Sequence, residues 1–280
     1  MARSATKNWA NRIAIGFLWL CAATTVALLG AIIVYVFVRG IGQITPTFIF
    51  TKPHGVNYAG GIGPTIVATV YVTALAMLIV TPIAVLAAVY LAEYAVQGRL
   101  VNTIRFAADS LASVPSIVMG LFGFALFVDA MGFDFSMLSG ALALSFLMLP
   151  IVMRATEEAI RSVPKYIRWG SYGLGASKWQ TVSRIVLPAA LPRILTGIIL
   201  ATGRAVGETA VVIFTMGQSI YTPLTPLDPG RSMTVHLYTL AMEGINMDAA
   251  YGTALLLMVM ILFFNLSARW LSRRSRRFQG

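Results

Sequence analysis

Residues 64–92 read PTIVATVYVTALAMLIVTPIAVLAAVYLA, an unbroken run without a charged side chain. A helix that crosses the hydrocarbon core of a bilayer needs about 20 predominantly apolar residues. This run is long enough to do so, and nothing in it favours a soluble helix with one polar face. It therefore predicts a membrane-spanning helix, and it places the whole chain in the class of all-α integral membrane proteins.

Composition agrees with this class, since 58% of the 280 residues are hydrophobic and only 11% are charged. Soluble domains carry about 25% charged residues. Cys21 is the single cysteine, which excludes an internal disulfide, and the two histidines lie far apart in predicted loops, so no metal site is expected. We predict six transmembrane helices, the run above and five further segments at about 13–38, 111–130, 137–153, 192–218 and 249–268.

The lysines and arginines orient these helices, because cytoplasmic segments carry an excess of positive charge. With the N-terminus inside, 17 of the 21 Lys and Arg residues fall on the cytoplasmic side when Arg193 is counted there. The cytoplasmic segments are the N-tail 1–12, 93–110, the loop 154–191 and the C-tail 269–280. Three fall in external loops, namely Arg39, Lys52 and Arg231. The net charge of +11 is then explained by the orientation of the helices in the membrane. The basic tail is expected to touch anionic lipid, and no nucleic acid is expected as a partner.

The third predicted helix starts with the unusual string SVPSIVMGLFG, which begins at Ser113. Pro115 removes a backbone donor, and Gly120 and Gly123 allow a neighbouring helix to come close. One interpretation is a kinked helix that only packs. The other is a break that exposes the hydroxyls of Ser113 and Ser116 to a water-filled path.

The long cytoplasmic loop 154–191 contains two helical patterns. Its first part places Glu157 four residues before Arg161, and Pro164 ends that helix. The string GLGASKWQTVSRIVLP follows, in which Ser177 is a plausible N-cap.

After Ser177, the residues Trp179, Val182 and Val186 form a short apolar stripe, and Pro188 is predicted to stop the helix. This amphipathic helix either lies on the lipid headgroups or forms a docking surface for a soluble partner.

The fifth predicted helix carries two charges in the string RAVGETAVVIFTMG, which begins at Arg204. A charge at the centre of a span costs about 2.5–3.5 kcal/mol, so such residues normally face the bundle interior or a cavity. Arg204 and Glu208 are four residues apart and are predicted to share one helix face, beside a close-packing ridge of Gly203 and Gly207. The pair either fixes helix packing or forms a polar gate or anion contact in a translocation path.

A resemblance narrows these interpretations. The string GASKWQTVSRIVLP resembles the second half of the cytoplasmic motif of ABC-importer permeases, through Gly175, Ile185, Leu187 and Pro188. The first half of that motif is normally Glu-Ala-Ala, whereas this chain has Trp-Gly-Ser at 169–171. The departure removes the glutamate that would bind the ATPase, and Lys165, Arg168 or Lys178 are candidate substitutes.

Together with that motif, GGIGPTIVATVYVTALAMLIVTPIAVLAAVYLAEYA, LASVPSIVMGLFG and RAVGETAVVIFT resemble the PstA permease family of phosphate-specific ABC importers. The resemblance covers about residues 60–217. It implies the type I ABC-importer permease fold with a cytoplasmic coupling helix, in a bacterial or archaeal cytoplasmic membrane with both termini inside. The expected division is an N-tail 1–12, a first helix and external loop 13–61, a permease core 62–268 and a basic C-tail 269–280.

The resemblance also implies partners and site residues. The partners are a sibling permease (PstC-like), an ATPase dimer (PstB-like) and an extracytoplasmic phosphate-binding protein (PstS-like). Expected coupling residues are Gly175, Ala176, Ser177, Lys178, Trp179, Arg184, Leu187 and Pro188. Expected translocation or gating residues are Arg204, Glu208, Thr209, Ser113 and Ser116, and expected packing residues are Gly203, Gly207 and Pro115. No Gly-Lys dipeptide occurs, so there is no Walker A loop; this chain is expected to bind no cofactor, and the partner ATPase would use the ATP.

Three other functions are compatible with the residues. One is a permease for another oxyanion, molybdate or sulfate. Another is a proton-coupled secondary transporter with Glu208 as the proton carrier, which would leave the docking loop unexplained. The third is a structural anchor that recruits a partner through 154–191, although the Arg204 and Glu208 pair argues against it. An enzyme is not expected, since no pair of nucleophile and base and no metal cluster can be named.

Overall fold

The computed structural model describes residues 2–55 and 58–276, and these ranges are built almost entirely from helices. In chain order the helices are α1 Ala2–Ile41, α2 Pro46–Phe50, α3 Gly63–Val89, α4 Arg99–Ser113, α5 Ser116–Gly123, α6 Met137–Arg161, α7 Lys165–Gly173, α8 Lys178–Thr181, α9 Leu187–Val206, α10 Ala210–Thr215, α11 Met233–Met242 and α12 Met247–Arg276. A short antiparallel hairpin pairs β1 Pro53–His54 with β2 Ala59–Gly60. Three π-helical turns extend or join helices, at Tyr90–Tyr94, Phe124–Ala130 and Val182–Val186.

Five helical stretches in the described ranges are long and apolar enough to cross a membrane, and a bent pair brings the number to six if it counts as one span. The membrane class predicted from the sequence is therefore confirmed. The five stretches are Asn11–Ile41, Gly63–Tyr94, Met137–Arg161, Lys178–Val206 and Met247–Ser272.

The third predicted span is not one continuous helix. Arg99–Ser113 and Ser116–Ala130 meet at a bend of 99°. The bend lies at Pro115, which cannot donate a backbone hydrogen bond, and at Val114, whose ψ of 130° is the extended conformation that a following proline favours. The kink anticipated at Pro115 is thus a sharp corner, and α4 lies across the direction of α5.

The prediction that Pro188 stops the coupling helix is wrong. The helix that begins at Lys178 continues through Pro188 to Val206, so α8 and α9 form one long element. A π-helical turn at Val182–Val186 comes directly before Pro188, which stands in the first turn of α9. The chain can remain helical past Pro188 because a local π-helical adjustment accommodates the missing backbone N–H of a proline.

The prediction of a continuous fifth span over 192–218 is also wrong at its second half. Helix α9 ends at Val206, Gly207 is its C-cap, and a non-helical segment leads into α10 at Ala210. Arg204 therefore lies in the last turn of a helix, while Glu208 lies in the break beyond it. The two charges do not share a face of one helix, although they remain neighbours.

Helices α3 and α6 form the centre of the molecule. Their facing surfaces are closely packed around small and medium side chains such as Ala76, Ala141 and Leu144, and the core extends to α9 and α10. Helix α12 packs on α9, and α1 packs mainly on α12, near Gly40 and Tyr251. The most apolar stretch of α1 is fully exposed.

The predicted external loop 219–248 contains a helix, since α11 occupies Met233–Met242 within it. His236, expected in a loop, is a buried residue of α11 with 1% of its surface exposed. The basic tail reaches beyond the described residues, because Arg277–Gly280 lie outside them and side chains from Arg273 onward are not described.

Candidate functional site

Arg204 and Glu208 meet at the break between α9 and α10. Nε of Arg204 lies 3.8 Å from Oε1 of Glu208. The two side chains differ in exposure, since that of Arg204 is 57% exposed and that of Glu208 is 12% exposed. The carboxylate is thus held within the fold, while the guanidinium stands on the open surface of the single chain.

A hydrogen bond from α11 holds the break in place, and a second hydrogen bond joins α11 to α3. The hydroxyl of Thr234, at the start of α11, donates to the carbonyl oxygen of Glu208 at 2.8 Å. The adjacent backbone amide, that of Met233, donates to the hydroxyl of Thr69 on α3 at 2.8 Å. Both threonines are buried. The position of Glu208 therefore depends on α11 and, through it, on α3.

Helix α5 contacts the break from another side. A Cβ placed on Gly120 would lie 2.6 Å from the carbonyl oxygen of Ala210, so only glycine allows this approach. Gly123, one turn further, would bring a Cβ within 2.6 Å of that of Ala143. The two glycines of the SVPSIVMGLFG string are therefore packing residues, and Gly120 packs directly beside the candidate site.

A recess of about 480 Å³ opens beside the break. Most of its lining is apolar, with hydroxyl groups from three residues on α11 and at the start of α10. The lining residues are Ile117, Thr209, Ala210, Ile213, Phe214, Thr234, Leu237 and Tyr238. Thr209 was expected from the sequence, whereas Thr234 and Tyr238 were not, since nothing in their local sequence distinguishes them from other residues of a loop.

The two serines predicted near a water-filled path lie at the bend beside this recess. The hydroxyl of Ser113 donates to the carbonyl oxygen of Ser110 at 2.7 Å. Ser116 begins α5, directly before Ile117 of the recess lining, and is half-buried. The structure thus brings α5 and Thr209 together, and it leaves the two serines at the edge of the site.

Gly203 and Gly207 have different surroundings. Gly203 is buried against α12, where an added Cβ would lie 3.2 Å from Cβ of Phe264. Gly207 is exposed beyond the end of α9, and an added Cβ would come no closer than 3.4 Å to its neighbours. The close approach expected of a glycine ridge exists at Gly203 only.

Helices α7 and α8 present large apolar side chains at the predicted cytoplasmic end. Trp169 is 67% exposed, Leu174 is 91% exposed and Trp179 is 69% exposed. We call this area the docking surface and define it by the exposed residues Tyr166, Trp169, Tyr172, Leu174 and Trp179. Val182 and Val186 are buried in the chain's own core, so the predicted stripe divides into two inward valines and one outward tryptophan.

Local sequence explains the shape of this unit. Ser177 is the N-cap of α8, as predicted, and forms a reciprocal capping box with Gln180. Gly175 has φ +83°, the left-handed conformation that glycine adopts without strain. The hydroxyl of Ser171 is 2.8 Å from that of Thr181, and this buried contact joins α7 to α8.

In the Trp-Gly-Ser string that replaces the usual Glu-Ala-Ala, the first residue therefore faces outward and the third faces inward. Trp169 points into the docking surface, and Ser171 is buried against α8. Of the three basic residues considered as substitutes for the missing glutamate, Arg168 is bound within the chain to Glu93, at 3.0 Å from Nε to Oε1. Lys178 lies over the ring of Tyr94, 5.1 Å from its centroid.

A charged network lines a cavity of about 220 Å³ between α4 and α6 at the same end. Glu157 is bound both by Arg105 and by Arg161, each at 2.8 Å. A second pair, Arg154 with Asp109, links the two helices again and is about half exposed. The sequence pattern revealed only the pair within α6, because the partner on α4 lies 52 residues away.

A third polar cluster lies at the predicted external end. The guanidinium of Arg231 is buried, lies 4.9 Å from the ring centroid of Tyr58 and donates from Nε to the carbonyl oxygen of Gln218 at 3.1 Å. Burial, followed by the charge of Arg231, lowers the pKa of His236 to about 4. The cluster therefore holds a single positive charge at neutral pH, with the imidazole uncharged.

Comparison with known proteins decides the family. Residues 81–277 match the family described as binding-protein-dependent transport system inner membrane component. The chain belongs to this family. The resemblance found in the sequence is thereby confirmed, and the permease is by family an inner membrane component of an ABC importer, which implies an ATPase, a binding protein and a second permease as partners.

Curated relatives extend over most of the permease. It is 38% identical to a probable ABC transporter permease protein, YqgI, of Bacillus subtilis, over 93% of this chain and 94% of the relative. It is 40% identical to the phosphate transport system permease protein PstA 1 of Mycobacterium tuberculosis, over 79% of this chain and 73% of the relative.

Solved structures show the same fold at low identity. A chain of the MetNI methionine ABC transporter in an inward-facing conformation has a TM-score of 0.65 at 17% identity, over 76% of this chain and 95% of that chain. A chain of a bacterial alginate ABC transporter has a TM-score of 0.65 at 16% identity, over 91% of this chain and 94% of that chain. The predicted type I importer permease fold is thus confirmed.

Proposed function

We propose that this permease imports phosphate, that it forms half of the translocation path around Arg204 and Glu208, and that it couples to a separate ATPase through the docking surface. Relatives named as phosphate transport system permeases support the substrate, since several share 32–40% identity with it over most of their length. The sibling permease would complete the path, and an extracytoplasmic binding protein would deliver the anion.

The observation that carries the proposal is the exposure of Arg204. A charge that faces hydrocarbon costs about 2.5–3.5 kcal/mol or more, so a guanidinium that is 57% exposed in one chain requires a second chain or water in front of it. Phosphate at neutral pH carries between one and two negative charges, and the planar fork of arginine matches its oxygens. The largely buried carboxylate of Glu208 would hold the arginine in place between transport events.

The docking surface supports the coupling part. Its large apolar side chains stand on two short helices that are fixed by a capping box and a buried hydroxyl pair, so the surface is preformed. Exposed Trp and Tyr clusters of this kind are typical of protein interfaces. Because the chain has no Walker A loop, the ATP would be bound by the partner that docks here.

Removal of both charges tests the role of Arg204. If the pair only fixes packing, Arg204→Gln with Glu208→Gln restores what either single change damages, because no unpaired charge remains. We expect instead that the double variant assembles and stays inactive, and that Arg204→Lys retains partial activity, since it keeps the charge and loses the fork. The measurement is phosphate uptake into vesicles, scaled to the amount of assembled complex.

The matched control is the exposed pair at the predicted cytoplasmic end, Arg154→Gln with Asp109→Asn, which should transport normally. Competition with sulfate and molybdate in the same assay separates a phosphate importer from one for another oxyanion. Uptake near that of the wild type in the Arg204 and Glu208 double variant would eliminate the transport role of Arg204.

A further inference from the structure

Arg168 connects α7 to the ends of two spans. Its Nε donates to Oε1 of Glu93 at 3.0 Å, Nη1 donates to the carbonyl oxygen of Val163 at 2.7 Å, and Nη2 donates to that of Ile160 at 3.0 Å. Glu93 belongs to the π-helical turn that ends the α3 span, and Ile160 belongs to the last turn of α6. The side chains of Arg168 and Glu93 are only 14% and 7% exposed. One largely buried guanidinium therefore fixes the geometry of three elements.

The two helices of the docking surface, α7 and α8, are connected to each other and to the residues around Glu93. The buried hydroxyl contact between Ser171 and Thr181 joins α7 to α8. Lys178, at the start of α8, lies 5.1 Å from the ring centroid of Tyr94, the neighbour of Glu93. Both helices that carry the docking surface are thus attached to the π-helical turn Tyr90–Tyr94 that follows α3, by an ion pair and by a cation–π contact.

The other end of α3 is attached to the candidate translocation site. Thr69 on α3 accepts the backbone N–H of Met233, and the next residue, Thr234, donates to the carbonyl oxygen of Glu208. These two hydrogen bonds place the start of α11 between α3 and the break. The two attachments, at Thr69 and at Glu93, are 24 residues apart, which is about 36 Å along a helix.

We infer that α3 transmits displacements of the docking surface to the break at Glu208, beside the direct route through the continuous α8–α9 element, with Glu93, Arg168 and Thr69 as positioning residues. Helices α6 and α9 are linked to the docking helices by the chain itself, whereas α3 is linked only by side chains. Apolar contacts between them can slide, but a largely buried ion pair with several hydrogen bonds has a fixed geometry. A displacement of α7 and α8 is therefore passed to α3 and, through α11, to Glu208. This inference rests on the proposed docking of an ATPase.

The test follows the break while the ATPase binds ATP. In a Cys21→Ala background, Thr209→Cys places a thiol at the recess, and its labelling rate by a maleimide is compared with and without ATP on the complex with its co-purified ATPase. We expect ATP to change the labelling rate, and Glu93→Gln to reduce that change by about tenfold. The control Asp109→Asn, which opens an exposed ion pair at the same end, should leave the change intact.

Two further variants separate positioning from folding. Arg168→Lys keeps the charge and loses the multiple hydrogen bonds, so it should also lose the ATP-dependent change while the ATPase still co-purifies. Thr69→Val removes the acceptor for Met233, and combined with Glu93→Gln it should have no larger effect than the stronger single change, because both act on one route.

An ATP-dependent change that persists in Glu93→Gln, or effects of Glu93→Gln and Thr69→Val that multiply, would overturn the connection. Absence of any ATP-dependent change before substitution would overturn it too. Phosphate uptake by the same preparation reports separately on the proposed function. If labelling responds to ATP but phosphate is not taken up, phosphate is not the substrate, and the inferred role of α3 is unaffected.

Discussion

The effect of Gly120→Ala on the structure can be estimated directly from one distance. Ordinary contact with an added Cβ begins at about 3.4 Å, whereas Gly120 would place it 2.6 Å from the carbonyl oxygen of Ala210. The shortfall is about 0.8 Å, and a backbone carbonyl cannot rotate away as the end of a side chain can. Either α5 or α10 must therefore move, and α10 begins directly after the segment that holds Glu208.

Overpacking of this kind costs about 1–3 kcal/mol. If that cost falls on the arrangement of the break, the competent state becomes roughly 5- to 150-fold less populated. We expect phosphate uptake, scaled to the amount of assembled complex, to decrease from the wild-type value by a factor within this range. The assay is uptake into vesicles, with thermal unfolding of the purified permease measured in parallel.

Gly30→Ala is the matched control, since Gly30 is another helical glycine with nothing within 4 Å of an added Cβ. It should leave uptake and stability unchanged. If Gly120→Ala retains both full uptake and the full unfolding temperature, α5 does not approach Ala210 this closely, and the position of the break does not depend on a glycine at 120.

The remaining predictions concern docking and orientation. Leu174→Cys, at a site that is 91% exposed and outside the capping box, should crosslink to a cysteine in the ATPase surface, and modification only by lipid-soluble reagents would instead place the docking surface on the membrane. A reporter that is active only outside the membrane should be silent at Gly280 and active within 219–248, and the opposite pattern would reverse the orientation.

The sequence predicted the uninterrupted spans well, because hydropathy alone determines them. A bilayer satisfies no backbone group, so a long uncharged run has few alternatives to a helix, and 64–92 was placed within a few residues of Gly63–Tyr94. The corner at Pro115 was also visible, since proline acts on its own backbone and on that of the preceding residue.

The breaks and helix continuations were less predictable because they depend on neighbours. The helix around Pro188 continues through a π-helical turn that no local signal announces. The end of α9 at Val206 depends on α11, whose Thr234 binds the carbonyl oxygen of Glu208. In both cases a tertiary contact or a rare turn overrides a local preference.

The sequence revealed only part of the candidate site, because the rest also depends on contacts between distant residues. Charges in an apolar run are conspicuous, so Arg204 and Glu208 were selected from the sequence alone. Their true relation, across a helix end rather than along a helix, was not visible. Arg168 and Glu93 are 75 residues apart and each looks like an ordinary loop charge, so only the fold reveals them as a buried pair.

The sharp corner at Pro115 has a consequence for the lipid around the protein. The helical stretch beyond it consists of 8 residues of α5 and 7 of the following π-helical turn, which rise about 22 Å at most. The hydrocarbon of a bilayer is about 30 Å thick. Near this corner the membrane must thin, or α4 must cover the difference by lying in it with Leu100 and Phe106, which are 69% and 72% exposed. The permease thus carries a built-in hydrophobic mismatch, and the chain length of the surrounding lipids becomes a variable that acts on its shape.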